Sequence, residues 1–379
     1  MSLRFKNFLK TSLYRAIDTF VFPNKKIKRN TILIIKSDAI GDYILFRNFL
    51  RCLKEDRKYG QYSITLIGNL RFKDIAEKLD SGYVDRFIWI NVDKFLTNFF
   101  YRHRTFQKVI TNSYEVVINP SFSRDFYLSD SIVRTVYSQT KIGFDCSLIN
   151  ISKYEKKISD KYYTQLICSK KEFMFEFLRY LEFFERFLKK NIEITKPIIE
   201  ISKSELTIQT SKNYAVIAIG ANASFRKWSI EKFAKVAMFL KSQYGLEIIL
   251  CGAKEDLRDS VMFKEKFKSN FINLVNKISF VELIELIKNS KFVISNETSI
   301  PHVNVALNIR NFLVISNGNH YGRFSPYPKS IFKNYNIVLP NEIEDLSYAN
   351  RKKIYFNGSD LDINNISIEK VISKIKEII

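Results

Sequence analysis

At 379 residues the chain is too long for a single small module and fits two domains of ordinary size. Its 46% hydrophobic and 26% charged content, with only 11 Gly and 7 Pro, excludes a disordered or collagen-like chain. Sixty-one Lys and Arg against 39 Asp and Glu leave a formal charge of +22, which implies anionic surroundings: nucleic acid, an anionic membrane face or phosphorylated small molecules.

The first thirty residues carry eight basic side chains (Arg4, Lys6, Lys10, Arg15, Lys25, Lys26, Lys28, Arg29) against one acid, Asp18. Phe5, Phe8, Leu9, Leu13, Tyr14, Ile17, Phe20 and Phe22 are interleaved with them. The segment reads as a basic amphipathic helix, either packed on the first domain with a solvated basic rim or lying on anionic lipid. Next, Thr31 to Ile35 is a continuous β-branched run suited to a parallel strand covered on both faces. It leads through Lys36-Ser37-Asp38-Ala39-Ile40-Gly41-Asp42 into helical spacing at Ile44, Leu45, Phe49, Leu50 and Leu53. Further strands are expected at Ser63 to Ile67, Arg86 to Ile90 and Val116 to Asn119, separated by helix-length stretches.

A long apolar-striped helix is expected over Glu172 to Lys190, and the irregular stretch Ile192 to Ser204, with Pro197, is the expected linker. A second strand-loop-helix series opens at Tyr214 to Ile219. It continues with a helix from Ser229 to Tyr244, strands at Glu247 to Cys251, Lys291 to Ser295 and Phe312 to Ser316, and a helix from Phe280 to Ser290. The last segment, Ile366 to Ile379, has helical periodicity and is able to cross back onto the first domain. The expectation is α/β: two Rossmann-like, doubly wound domains, residues 1–195 (with 1–30 the basic segment) and 205–379, facing a central ligand cleft.

Cys52, Cys146, Cys168 and Cys251 are scattered without a CxxC pair, which argues against a disulfide framework or structural zinc and for a reducing compartment. No run approaches the roughly 18 to 20 apolar residues of a membrane span, and Met1 to Lys6 opens no signal-peptide core, so any membrane contact is expected to be peripheral.

Chemistry concentrates in a few loops. Gly41-Asp42 puts a carboxylate in a helix's first turn, where partial positive charge favours its ionised form and where it can act as a base; Asp38 reads as an N-cap. Asn222, Ser224, Arg226 and Lys227 bring an amide, a hydroxyl and two cations to one strand-to-helix loop, a combination suited to a diphosphate. In Asn296 to His302, Pro301 fits a helix's first turn and the amides of Thr298 and Ser299 are expected to point at phosphate, while His302 alone reads more readily as a structural residue. Glu255 lies just past a strand's carboxyl end, where a ribose diol is often gripped.

Four of these segments resemble glycosyltransferase family 9, the heptosyltransferase-like enzymes of GT-B fold. Ile34 to Asp42 is similar to the family's opening strand and R-x-x-x-[IL]-G-D loop, and Ile219 to Ala234 to its P-G-A-s and K-x-W-P-x-E-x-F-A segments. Asn276 to Leu283 is similar to G-K-[TM]-S-L-x-E-L, and Val293 to His302 to V-V-S-N-D-T-G-P-M-H; Lys141 to Phe144 echoes R-I-G-F. The sequence departs from the pattern in four places: Arg226 stands at the family's lysine, Glu297 replaces its Asp, and Ser299 with Ile300 replaces Gly-Pro.

The resemblance implies an inverting, metal-independent glycosyltransferase with no cofactor. Its co-substrate would be a nucleotide-diphospho-sugar, often ADP-heptose, and its acceptor a lipopolysaccharide or lipooligosaccharide core. It makes Asp42 the base and assigns donor diphosphate and sugar to Asn222, Ser224, Arg226, Lys227, Glu297, Thr298, Ser299 and His302. Glu255, Lys277 and Ile278 fall to the nucleoside. A cytoplasmic enzyme, peripheral at the inner face of the cytoplasmic membrane, accounts for the charge. The rival readings are a nucleic-acid binder, a GT-B-like sugar-nucleotide 2-epimerase and a non-catalytic, degenerate sugar-nucleotide-binding protein.

Overall fold

The computed structural model describes residues 14, 18, 21–23, 25–170, 173–201, 213–344 and 346–379. They divide into two compact units. The first holds the residues up to 170 together with 177–193, and the second holds 173–176 and the residues from 194 onward.

In the first unit six strands form one parallel sheet: β1 (Lys28–Lys36), β2 (Ser63–Asn69), β3 (Arg86–Ile90), β4 (Tyr114–Asn119), β5 (Ser138–Phe144) and β6 (Gln165–Ile167). The spatial order is β3-β2-β1-β4-β5-β6, so the chain winds one way from β1 and then reverses at β4. Ile32, Leu33, Ile34 and Ile35 are fully buried, as a β-branched run covered on both faces should be. The apolar run after it is split at Arg47 into the helices Ile40–Phe46 and Asn48–Lys54. Arg47 turns inward and binds Asp80 through Nε and Nη2, at 3.1 and 2.8 Å.

The second unit repeats this plan with β7 (Tyr214–Ala218), β8 (Glu247–Cys251), β9 (Ile272–Asn273), β10 (Phe292–Asn296), β11 (Phe312–Ile315) and β12 (Ile337–Val338). Its order, β12-β11-β10-β7-β8-β9, is again all parallel and again reverses between its first and fourth strands. The helix Ile230–Tyr244 buries Phe233, Ala234, Val236, Ala237 and Leu240 and stops at Gly245, whose φ of 62° is the left-handed conformation that ends helices.

Two sequence expectations change here. The helix expected from Glu172 begins at Glu176, because Phe173 and Phe175 pack inside the second unit, on Tyr355 and Tyr327, with ring centroids 4.4 and 4.5 Å apart. The last helix, Ile368–Ile378, does not join the first unit: Val371 and Ile375 are fully buried in the second unit's core beside Leu240 and Phe263. An amphipathic stripe reports that a face is buried, not against which core.

Most of the basic segment before residue 21 lies outside the described residues. Tyr14 and Asp18 are helical and buried in the first unit. Asp18 takes Arg102 in a bidentate pair at 2.7 and 2.8 Å, and the Tyr14 hydroxyl donates to the Leu96 carbonyl. At these two positions the packed reading holds. No helix among the described residues is long and apolar enough to cross a membrane.

Candidate functional site

In a doubly wound sheet, ligands bind at the carboxyl ends of the strands where the winding reverses. In the second unit that point lies between β7 and β10. The β7 loop runs through the short 3-10 turn Ser224–Arg226 to the helix Ile230–Tyr244, with Ser229 at its N-cap and no side-chain cap bond. The β10 loop, residues 297–299, enters the short helix Ile300–Ala306, with Ser299 at its N-cap and Pro301 in its first turn. Asn296, fully buried, ties the two loops together: it accepts from the Trp228 amide at 3.0 Å and donates to the Ile219 carbonyl at 2.8 Å. Its amide can do both because it carries a donor and an acceptor.

Arg226 crosses this junction. One Nη2 donates to the Glu297 backbone carbonyl and lies 3.7 Å from its Oε1. The buried Nε has no hydrogen-bond partner in the protein, and neither has Glu297 Oε1. The other Glu297 oxygen, Oε2, accepts from the Ser316 hydroxyl. Burial raises the Glu297 carboxyl above its ordinary range, against the opposing pull of Arg226 and Ser316. His302 is buried with Nδ1 2.8 Å from the Tyr327 hydroxyl; burial, aided by the Arg226 charge, pushes it down to about 3. His320 is held well below its ordinary value by burial and by Arg226, Arg323 and His302. Both imidazoles are therefore neutral at physiological pH, and Arg226 supplies a fixed cation beside them. Ser316 and His320 carried no signal in the sequence: Ser316 is an ordinary strand-end serine, and His320 belongs to no recognised spacing.

The neighbouring cation is used differently. Lys227 Nζ pairs with Asp256 at 2.6 Å and Asp259 at 2.8 Å. Asp256 is buried, accepts from the Ala253 amide at 2.8 Å and presses on Gly220, where a Cβ would meet its Oδ2 at 2.5 Å. Gly220 is thus required by a close carboxylate. Asn222 and Ser224 are exposed on the β7 loop. Thr298 and Ser299 are half-buried, and the Thr298 hydroxyl accepts from the Ile300 amide at 3.3 Å. Glu255 is exposed in the 3-10 turn after β8, and Lys277 is exposed and Ile278 half-buried after β9. All these residues follow carboxyl ends of strands of one sheet; Arg226 and Glu297 meet directly, and Lys227 is drawn to the β8 side.

The first unit has its own reversal point, between β1 and β4. Asp42 is half-buried in the first turn of the helix Ile40–Phe46. The N-cap is Ala39 rather than Asp38. Asp38 instead binds the buried Lys36 ammonium and accepts from Ser121 Oγ at 2.8 Å; a lysine buried two residues earlier outcompetes backbone amides for the carboxylate. Lys36 also donates to the Tyr180 hydroxyl at 2.6 Å. Among the described residues no group of three or more His, Cys, Asp or Glu side chains is placed to hold a metal ion.

Known proteins share this fold. The family model for glycosyltransferase family 9 (heptosyltransferase) matches residues 102–343, well over half of the chain. No curated protein matches the chain. Among solved structures it is similar to a family 9 glycosyl transferase from Veillonella parvula DSM 2008, with 14% identity, a TM-score of 0.65 and coverage of 94% of this chain and 98% of that one. It is also similar to the E. coli heptosyltransferase WaaC with ADP-2-deoxy-2-fluoro heptose, at 17% identity, TM-score 0.64 and coverage of 92% and 99%. The E. coli ADP-heptose lps heptosyltransferase II gives 14% identity, TM-score 0.64 and coverage of 92% and 98%. At such identities the structures speak for the fold, two parallel-sheet α/β domains of GT-B type, and the family model speaks for kinship. On these grounds the chain belongs to glycosyltransferase family 9, the heptosyltransferase family.

Proposed function

We propose that this glycosyltransferase is an inverting, metal-independent enzyme. It would move a heptose or hexose from a nucleotide-diphospho-sugar, ADP-heptose first among the candidates, to a lipopolysaccharide or lipooligosaccharide core or a related surface glycan. It would work from the cytoplasm at the anionic inner face of the cytoplasmic membrane. The observation that carries the reading is Arg226: a guanidinium held by the Glu297 carbonyl at the second unit's reversal point, with a buried Nε that has no protein acceptor. A diphosphate oxygen is the kind of acceptor that such an N–H fits, and the charge-assisted bond strengthens as the departing diphosphate gains charge.

In this reading Asp42 takes the proton of the acceptor hydroxyl. The freed oxygen pair attacks the anomeric carbon while the bond from that carbon to the diphosphate oxygen breaks, so configuration inverts in one displacement and no covalent enzyme intermediate forms. The nucleoside falls to Glu255, Lys277 and Ile278, and the donor's phosphate and sugar to Asn222, Ser224, Arg226, Lys227, Thr298, Ser299, Glu297 and His302. The anionic surface is supported by the charge of +22.

A second reading, a non-catalytic sugar-nucleotide-binding protein, is favoured by one observation: Lys227 is already neutralised by two carboxylates, and a Glu297 oxygen is taken up by Ser316. The two readings part in an assay of ADP release from ADP-heptose in the presence of EDTA. The transferase releases ADP only when a truncated core glycolipid is added. The binding protein retains ADP-heptose and releases nothing.

A further inference from the structure

The first unit carries an exposed aromatic edge beside a concentration of cations. Phe99 and Phe100 begin the helix Phe99–Ile110, with Phe100 83% and Phe99 42% exposed. Asn98 caps this helix, its side chain accepting from the Tyr101 amide at 2.9 Å, so the edge sits on a fixed element. Arg102, Thr105, Phe106, Val109 and Ile110 form the buried face. Phe100, Arg104 and Lys108, spaced by four residues and therefore on one stripe, are all exposed. Tyr14 lies edge-on against Phe99 at 5.9 Å, and Asp18 is locked to Arg102 of the same helix. A few residues further along the chain, Phe22 is 79% exposed and is followed by exposed Lys25, Lys26, Lys28 and Arg29. An acid close by, Asp93, is paired with Arg71 at 3.5 Å.

We propose that the Phe99–Phe100 edge, with the Arg104–Lys108 stripe and the Lys25 to Arg29 run, is the surface by which the first unit docks on an anionic phospholipid membrane. The inference rests on the membrane reading above and names the surface responsible. Cations alone suit any polyanion. An exposed phenylalanine, Phe100, on the same helix stripe as two cations suits a boundary where rings enter the acyl region while ammonium and guanidinium groups stay among the headgroup phosphates. A nucleic acid offers phosphates without that apolar layer, and no positive charge is needed by a second copy of so basic a chain.

The test is flotation of the full chain with phosphatidylglycerol-containing vesicles and with pure phosphatidylcholine vesicles. Wild type is expected to float with the first and much less with the second. The pair Arg104→Gln and Lys108→Gln should weaken binding about 25-fold, from roughly fivefold for each cation. Phe100→Ser with Phe22→Ser should weaken it severalfold while leaving nucleotide binding and the thermal midpoint unchanged, since both rings are exposed. If wild type floats and both variant pairs float equally well, the surface lies elsewhere and this assignment is overturned while the membrane reading stands. If wild type ignores anionic vesicles, both fall. A loss of duplex DNA or RNA binding, or of dimer mass in light scattering, that tracks Phe100→Ser without a loss of flotation would also overturn it.

Discussion

The two sheets share one strand order, yet the loops at their reversal points dispose of charge in opposite ways. In the first unit Lys36, Asp38, Ser121 and Tyr180 close on one another. Asp42 lies in the first turn of the adjoining helix. In the second unit Arg226 and Glu297 meet at 3.7 Å but leave a buried nitrogen, Arg226 Nε, and a buried oxygen, Glu297 Oε1, without hydrogen bonds. A buried polar atom without a hydrogen bond costs about 1 to 3 kcal/mol, and on the proposed reading the donor's diphosphate supplies the acceptor that the Arg226 Nε lacks. The same contrast recurs between neighbours: Arg226 remains available, whereas Lys227 is consumed by Asp256 and Asp259.

The largest effect expected from breaking this contrast is at Asp42. Asp42→Ala should lower turnover by roughly 10² to 10⁴ with donor affinity nearly intact, the usual worth of a positioned base; steady-state kinetics beside an ADP-heptose titration will tell, and ordinary turnover would remove Asp42 from the role.

Next comes the pH dependence set by His302. Its folded pKa of about 3 lies below the ordinary 6.5 or so, so the unfolded chain binds the proton first as pH falls. The stabilisation is full above about 6.5 and is lost between there and about 3, by up to ~1.4 kcal/mol per pH unit. Urea unfolding at neutral and acidic pH should show a steeper acid loss for wild type than for His302→Gln; parallel curves would contradict the buried neutral imidazole.

Lys227→Ala removes a partner from the buried Asp256 and should cost about 1 to 3 kcal/mol of stability while ADP affinity changes little. A large loss of affinity with intact stability would instead return Lys227 to the phosphate.

Smallest is Glu297→Gln. Burial raises the folded pKa of this carboxyl, so its contribution is full below the unfolded value near 4.5 and is lost as pH rises through the folded one. The amide should therefore stabilise the protein slightly at neutral pH and not at pH 4. Thermal midpoints at the two pH values measure it, and destabilisation at neutral pH would show that Arg226 keeps the carboxylate ionised.

Much of the fold was legible because parallel strands buried on both faces write continuous apolar runs: Ile32 to Ile35, Tyr214 to Ala218 and Glu247 to Cys251 stand where the sequence puts them. Edge strands such as β9 and β12, two residues each, leave no such run and were invisible. The candidate site was legible as loops and not as contacts. Spacing could bring Arg226 and Lys227 to one turn, but it could not say that Asp256, 29 residues on from Lys227 by chain and adjacent by sheet order, would capture that lysine. Nor could it find Ser316 and His320, which matter only because β11 lies beside β10.

The central claim is that Arg226, at the reversal point of the second sheet, grips the donor's diphosphate. Calorimetric titration of ADP into wild type, Arg226→Ala and Lys227→Ala tests it most directly. The account predicts that Arg226→Ala loses about tenfold to a hundredfold in affinity, the worth of a charge-assisted hydrogen bond, while Lys227→Ala stays close to wild type. Equal ADP affinity in wild type and Arg226→Ala would contradict it.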